Sequence, residues 1–168
     1  MTCLTARTME YQRKGSPIRD LQSGTNAVKP EYILDPFAIK NYPSAIFGDP
    51  GSFKSNVALV FNTLITLPWH DNPMGILVPG KPKIVLYLDW ETDEDTILWQ
   101  LTKLQEGMKL PPIPIKYRQC SSPLSKEIEQ IRRLINDCKA DMIIGDSLGL
   151  AAGGDLKETT PALEFFAA

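Results

Sequence analysis

The sequence predicts an α/β fold: a mostly parallel sheet with helices on both faces. Two observations predict it. Short β-rich apolar runs alternate with segments of helical period in the order β-α-β-α-β-α-β. Within that alternation, "KIVLYLDWE" (83–91) is apolar for five residues in succession, the texture of a parallel strand covered on both faces. A chain of 168 residues is about one domain long and can bury a sizeable core.

Residues 1 to about 30 show neither period and mix Gly, Ser and Pro with scattered charge, so they read as a loosely ordered leader to a domain spanning 31–168. "PSAIF" (43–47) is expected to be a buried strand entering a glycine loop. "KSNVALVFNTLITL" follows as a helix, its wide apolar surface formed by Val57, Leu59, Val60, Phe61, Leu64 and Ile65, and Pro68 stops it. Residues 68–82, rich in Pro and Gly, read as a loop. After the 83–91 strand, "TDEDTILWQLTKLQEG" (92–107) fits a helix capped by Thr92 or Asp93, with acids in its positive first turn and Gly107 ending it. "IKYRQC" (115–120), "PLSKEIEQIRRLINDCKA" (123–140) and "DMIIGD" (141–146) supply the third strand, third helix and fourth strand. There is no internal repeat.

Composition excludes several classes. With 43% hydrophobic residues, 23% charged residues and a net charge of -2, no global field invites nucleic acid or membrane. No segment reaches membrane-spanning length, and the polar start is unlike a secretory signal, so the expected location is cytoplasmic, without membrane association. Cys3, Cys120 and Cys138 lack the spacing of a metal site and read as free thiols.

Chemistry concentrates at three strand ends. "GDPGSFKS" (48–55) lies between a strand and a helix and matches the phosphate-loop pattern G-x-x-x-x-G-K-[ST] except that Phe53 replaces the second glycine. In that context Gly48, Asp49, Pro50, Gly51, Ser52, Phe53, Lys54, Ser55 and Asn56 form a candidate nucleotide-binding loop and helix start, whose backbone N–H groups face phosphate oxygens. Lys54 would reach the β and γ phosphates, and the Ser55 hydroxyl suits Mg²⁺. Glu91, after "YLDW", stands at the same sheet edge, placed either to activate water as a general base or to favour the dipole of the following helix. Asp146, after "MIIG", is the apolar-strand-then-Asp arrangement that holds Mg²⁺ through its water shell.

"AIFGDPGSFKSNVAL", "KIVLYLDWETDEDT", "YRQCSSPL" and "DMIIGDSLGLAAGGDLKETTPALEFF" together resemble the RecA-like P-loop ATPases of the AAA family, most closely the RepA-type hexameric replicative helicases and phage and plasmid AAA ATPases. The resemblance covers about residues 31–168. It implies ATP as substrate and Mg²⁺ as cofactor, with Lys54 and Ser55 on phosphate and metal, Asp146 as the Walker B acid and Glu91 as the catalytic glutamate. It also implies a homo-oligomeric, hexameric ring and single-stranded DNA as a partner in replication. Two features depart from the pattern. One is Phe53. The other is the end at "ALEFFAA", within an apparent amphipathic helix, where relatives continue into a further core strand, a sensor and a DNA-contacting loop, so the chain reads as C-terminally truncated.

Other features have plainer readings: Trp90 and Trp99 as packing residues, His70 as solvent-facing or adenine-proximal, "ETDED" as a solvated helix start and "GLAAGGDLKETT" as a flexible loop. Against a DNA-acting ATPase stand a non-hydrolysing ATP-binding or oligomerisation module and a small-molecule kinase. Arg132 and Arg133, placed within a helix, supply no lid for the last of these.

Overall fold

Residues 20, 22–24 and 28–153 are described by the computed structural model. Backbone contacts divide the chain after Pro30 into two units, and all that follows concerns the second. It begins with an antiparallel pair, β1 (Tyr32–Leu34) and β2 (Ala38–Ile39), and continues through α1 (Lys54–Thr66), β3 (Val85–Asp89), α2 (Glu94–Met108), β4 (Lys116–Gln119), α3 (Leu124–Cys138), β5 (Met142–Asp146) and α4 (Leu148–Ala152).

The main sheet is parallel with strand order β4-β3-β5. β3 is central and buried at all five positions, which explains its unbroken apolar sequence. Period-two alternation divides its side chains between two helix layers. Val85 and Tyr87 face a core with Leu59, Leu64 and Ile65 of α1 and Ile97 and Leu101 of α2. Leu86 and Leu88 face Cys120 and Ile131, with Leu134 and Ile135 of α3 packed against them. Each fully buried side chain of this kind contributes about 1.5–3 kcal/mol. The sheet therefore has helices on both faces, as the sequence predicts.

β4 is an edge strand, and its alternating Lys116 and Arg118 suit that position. Arg118 donates to Glu127 Oε2 at 2.6 Å and to Gln130 Oε1 at 2.9 Å, while Glu127 Oε1 accepts the Ser122 N–H at 3.1 Å, so α3 is tied to the end of β4. At the opposite end of the sheet, Asp141 accepts the Ile84 N–H at 2.9 Å and Lys83 Nζ at 3.1 Å, aligning the starts of β3 and β5.

The structure corrects four expectations. Residues 43–47 form no strand and are exposed, with Phe47 81% accessible. They face β5 across a cavity of about 320 Å³ instead of pairing with it, and a strand without a ladder partner has no hydrogen bonds to hold it. α2 does not stop at Gly107. It runs to Met108 and closes through Lys109 in the left-handed conformation, φ 54°, whose N–H returns to the carbonyls of Gln105 and Glu106. The first residues of "GLAAGGDLKETT" are helical in α4, up to Gly153, and the remainder lies outside the described residues, as do "ALEFFAA" and most of the leader. Trp99 is 62% exposed and packs into no core, whereas Trp90 is half-buried with its indole N–H on the Ser122 carbonyl at 2.7 Å. His70 is exposed.

Candidate functional site

The end of β5 and the start of α1 bring Gly48 and Lys54 of the loop together with Asp146 on one cavity, while Ser55 and Glu91 do not line it. Residues 48–53 form a turn with Gly51 at φ 78° and Phe53 at φ 59°, both left-handed. Gly48 lies close to Ser52, and a Cβ there would stand 2.6 Å from Ser52 Oγ and require that hydroxyl to rotate away. Ser52 N–H closes the turn on the Asp49 carbonyl at 3.2 Å. Lys54 then folds its side chain back over the loop, donating from Nζ to the carbonyls of Gly48 at 3.0 Å and Asp49 at 2.8 Å, with Ser52 Oγ at 3.4 Å.

Phe53 is the N-cap residue of α1, is 73% exposed and caps no N–H with its side chain. The position therefore does require the positive φ for which glycine is the usual choice, and phenylalanine adopts it at a cost. Its ring points away from the core, so it does not fill the loop. The first turn of α1 contains no acid, which leaves the positive end of the helix without a negative neighbour in its own turn. Ser55 is half-buried at that start and Asn56 is exposed.

Asp146 ends β5 and lies in register with Asp89 of β3, so the two carboxylates stand side by side on one face of the sheet. Their environments differ. Tyr87 donates its hydroxyl to Asp146 Oδ2 at 2.8 Å. Asp89, only 1% exposed, accepts the N–H groups of Glu91 and Thr92 on Oδ1, at 2.9 and 3.0 Å, and the hydroxyls of Thr92 and Tyr117 on Oδ2, at 2.6 and 3.1 Å. Asp89 is thus saturated by protein donors and unavailable to a ligand, whereas Asp146 Oδ1 keeps its lone pairs for one. Burial, followed by the Asp146 charge, pushes the Tyr87 phenol far above its ordinary value. Burial and then Asp89 do the same for Tyr117, so both remain hydrogen-bond donors.

Gly48, Lys54, Asp146 and Ser147 share the polar end of the 320 Å³ cavity whose apolar side includes Phe37, Phe47, Phe61 and Ile143. Glu91 does not line it. It stands on the exposed turn between β3 and α2, two residues before the α2 N-cap Asp93, which accepts the Thr96 N–H at 2.7 Å. Glu91 is therefore not a first-turn helix acid. Glu94 and Asp95 occupy that place.

Sequence reasoning missed Asp89, Tyr87 and Tyr117. The signal available was the strand period, which puts Val85, Tyr87 and Asp89 on one face, but the cross-strand partners depend on register. The Ser55 hydroxyl and the Asp146 carboxylate are hard oxygen donors of the kind Mg²⁺ takes, although Asp146 lines the cavity and Ser55 does not. Among the described residues no three His, Cys, Asp or Glu side chains converge as a protein-only metal site.

Comparison with known proteins gives one result. The family model described as "AAA domain" matches residues 6–167. No curated protein and no solved structure matches the chain.

Proposed function

Since the chain belongs to the AAA domain family and is an AAA-type P-loop ATPase, we propose that it hydrolyses ATP with Mg²⁺ at the loop formed by residues 48–56. The observation that carries this reading is the convergence of Lys54, folded over its own glycine loop, and Asp146, with an open carboxylate oxygen, on one cavity at the head of α1. The roles follow from the chemistry of each group. Backbone N–H groups of residues 48–53 and the α1 start bind phosphate oxygens, and Lys54 exchanges its carbonyl partners for the β and γ phosphates. Ser55 and Asp146 would hold Mg²⁺, which supplies charge neutralisation on the phosphates when bound. Glu91 is the proposed base, orienting water and taking its proton. A helicase-like motor acting on single-stranded DNA as a hexameric ring in the cytoplasm is the extended form of this proposal, supported by the sequence resemblance to RecA-like helicases. No helix among the described residues is long and apolar enough to cross a membrane.

Glu91 standing outside the cavity favours a second reading, a nucleotide-binding module without hydrolysis. Calorimetric titration of Mg²⁺-ATP and steady-state turnover separate the two. Binding with turnover, both lost in Lys54→Ala, is the expected result. Binding without turnover selects the second reading, and equal binding by parent and Lys54→Ala overturns the site.

A further inference from the structure

We propose that Asp89 is a positioning residue: its buried carboxylate locks the backbone of the β3–α2 turn and so sets where Glu91 stands. The inference rests on the reading of Glu91 as the base. The turn is held from both neighbouring strands. Trp90 N–H donates to the Asp146 carbonyl of β5 at 2.5 Å, and Gln119 Nε2 of β4 donates to the Thr92 carbonyl at 3.0 Å. Between them Asp89 collects four donors: two turn amides, the Thr92 hydroxyl and the Tyr117 hydroxyl from β4. Four donors converge on one buried carboxyl group and leave the network fully satisfied, which rigidifies the turn.

The placement has a functional sense that stability alone does not require. α2 already has its own cap in Asp93 and its own dipole acids. What the Asp89 clamp adds is a fixed backbone at Glu91, whose side chain is exposed at the same sheet edge as Asp146. A base must hold its geometry to be effective, and a carboxylate on a loose turn would not.

Thr92→Val and Tyr117→Phe each delete one donor to Asp89 Oδ2 with little change of volume, and avoid the risk that Asp89→Asn disrupts the core. In the full chain without nucleotide, the Glu91 and Thr92 amides are expected to exchange slowly with solvent, and at least about tenfold faster in either variant. With Mg²⁺-ATP, kcat should fall by about tenfold or more while nucleotide affinity stays within about threefold, and Glu91→Gln combined with Thr92→Val should be no slower than Glu91→Gln alone. Rapid exchange in the parent, unchanged exchange in the variants, a parental kcat, or fully additive losses overturn the positioning role. Parental turnover in Glu91→Gln, or a parent without turnover, overturns the base assignment and this role with it, and the exchange result then shows separately whether the clamp exists.

Discussion

The Tyr87 hydroxyl reaches Asp146 Oδ2 at 2.8 Å from a side chain with no solvent exposure, one strand away. Tyr117 makes the matching bond to Asp89, and the two rings stack with centroids 6.5 Å apart. A pair of phenols thus stands behind a pair of acids, and neither phenol can ionise without placing a second negative charge beside a carboxylate.

Alkaline titration should reveal this arrangement. Of the five tyrosines, Tyr87 and Tyr117 are expected to stay protonated while the fold is intact, as followed by phenolate absorbance near 295 nm. The folded form keeps protons that the unfolded chain releases around the ordinary value of 10.0. Their contribution to stability is therefore full below that pH and is lost as pH rises above it. Tyr87→Phe should flatten the alkaline limb of melting temperature against pH. Free titration of all tyrosines in folded protein would contradict the structure.

Phe53→Gly should stabilise the protein. The left-handed backbone at φ 59° costs a non-glycine residue about 1–2 kcal/mol, partly offset by the larger unfolded-state entropy of glycine. A net gain near 1 kcal/mol raises the melting temperature by roughly 2–4 °C. Phe53→Ala, which keeps a Cβ, should gain nothing. Because the ring is exposed and faces no loop partner, Mg²⁺-ATP affinity should stay within about tenfold, roughly 1.4 kcal/mol. Binding that appears only after the glycine is restored would mean that Phe53 blocks the site.

Acid should loosen the opposite end of the sheet. The Ile84 N–H, followed by Lys83, holds the Asp141 carboxyl below its ordinary value of 3.8. The stability it contributes is present above that value and is lost as pH falls through the lower folded value, because the unfolded chain takes up its proton first. Melting temperature measured from pH 6 to pH 2.5 should fall less steeply in Asp141→Asn than in the parent. Parallel curves would remove this role.

Elements whose signals are local were legible. The apolar runs in 83–91 and 141–146, the apolar stripe of 123–140 and the Asp93 cap each depend on neighbours within one or two turns, and β3, β5, α3 and the start of α2 formed where these signals point. The 43–47 segment was misread because an apolar run becomes a strand only when another strand pairs with it, a fact held elsewhere in the chain. The helix ends closed by Lys109 and Lys139 in place of glycine show the same limit: both lysines take the left-handed backbone, φ 54°, against residue preference. At the site, Lys54 and Ser55 open α1 and Asp146 ends β5, where the local helix and strand signals point, whereas the strand expected before the loop does not form. The Asp89 clamp was invisible because two of its members, Asp89 and Tyr117, are brought together only by the register of β3 against β4.

The bare start of α1 bears on the choice of buffer. With no side-chain cap and no acid in its first turn, this helix end suits a small oxyanion, and on the proposed reading sulfate or inorganic phosphate would compete there with the nucleotide. An affinity for ATP measured in phosphate buffer will therefore read weaker than one measured in a chloride medium of equal ionic strength.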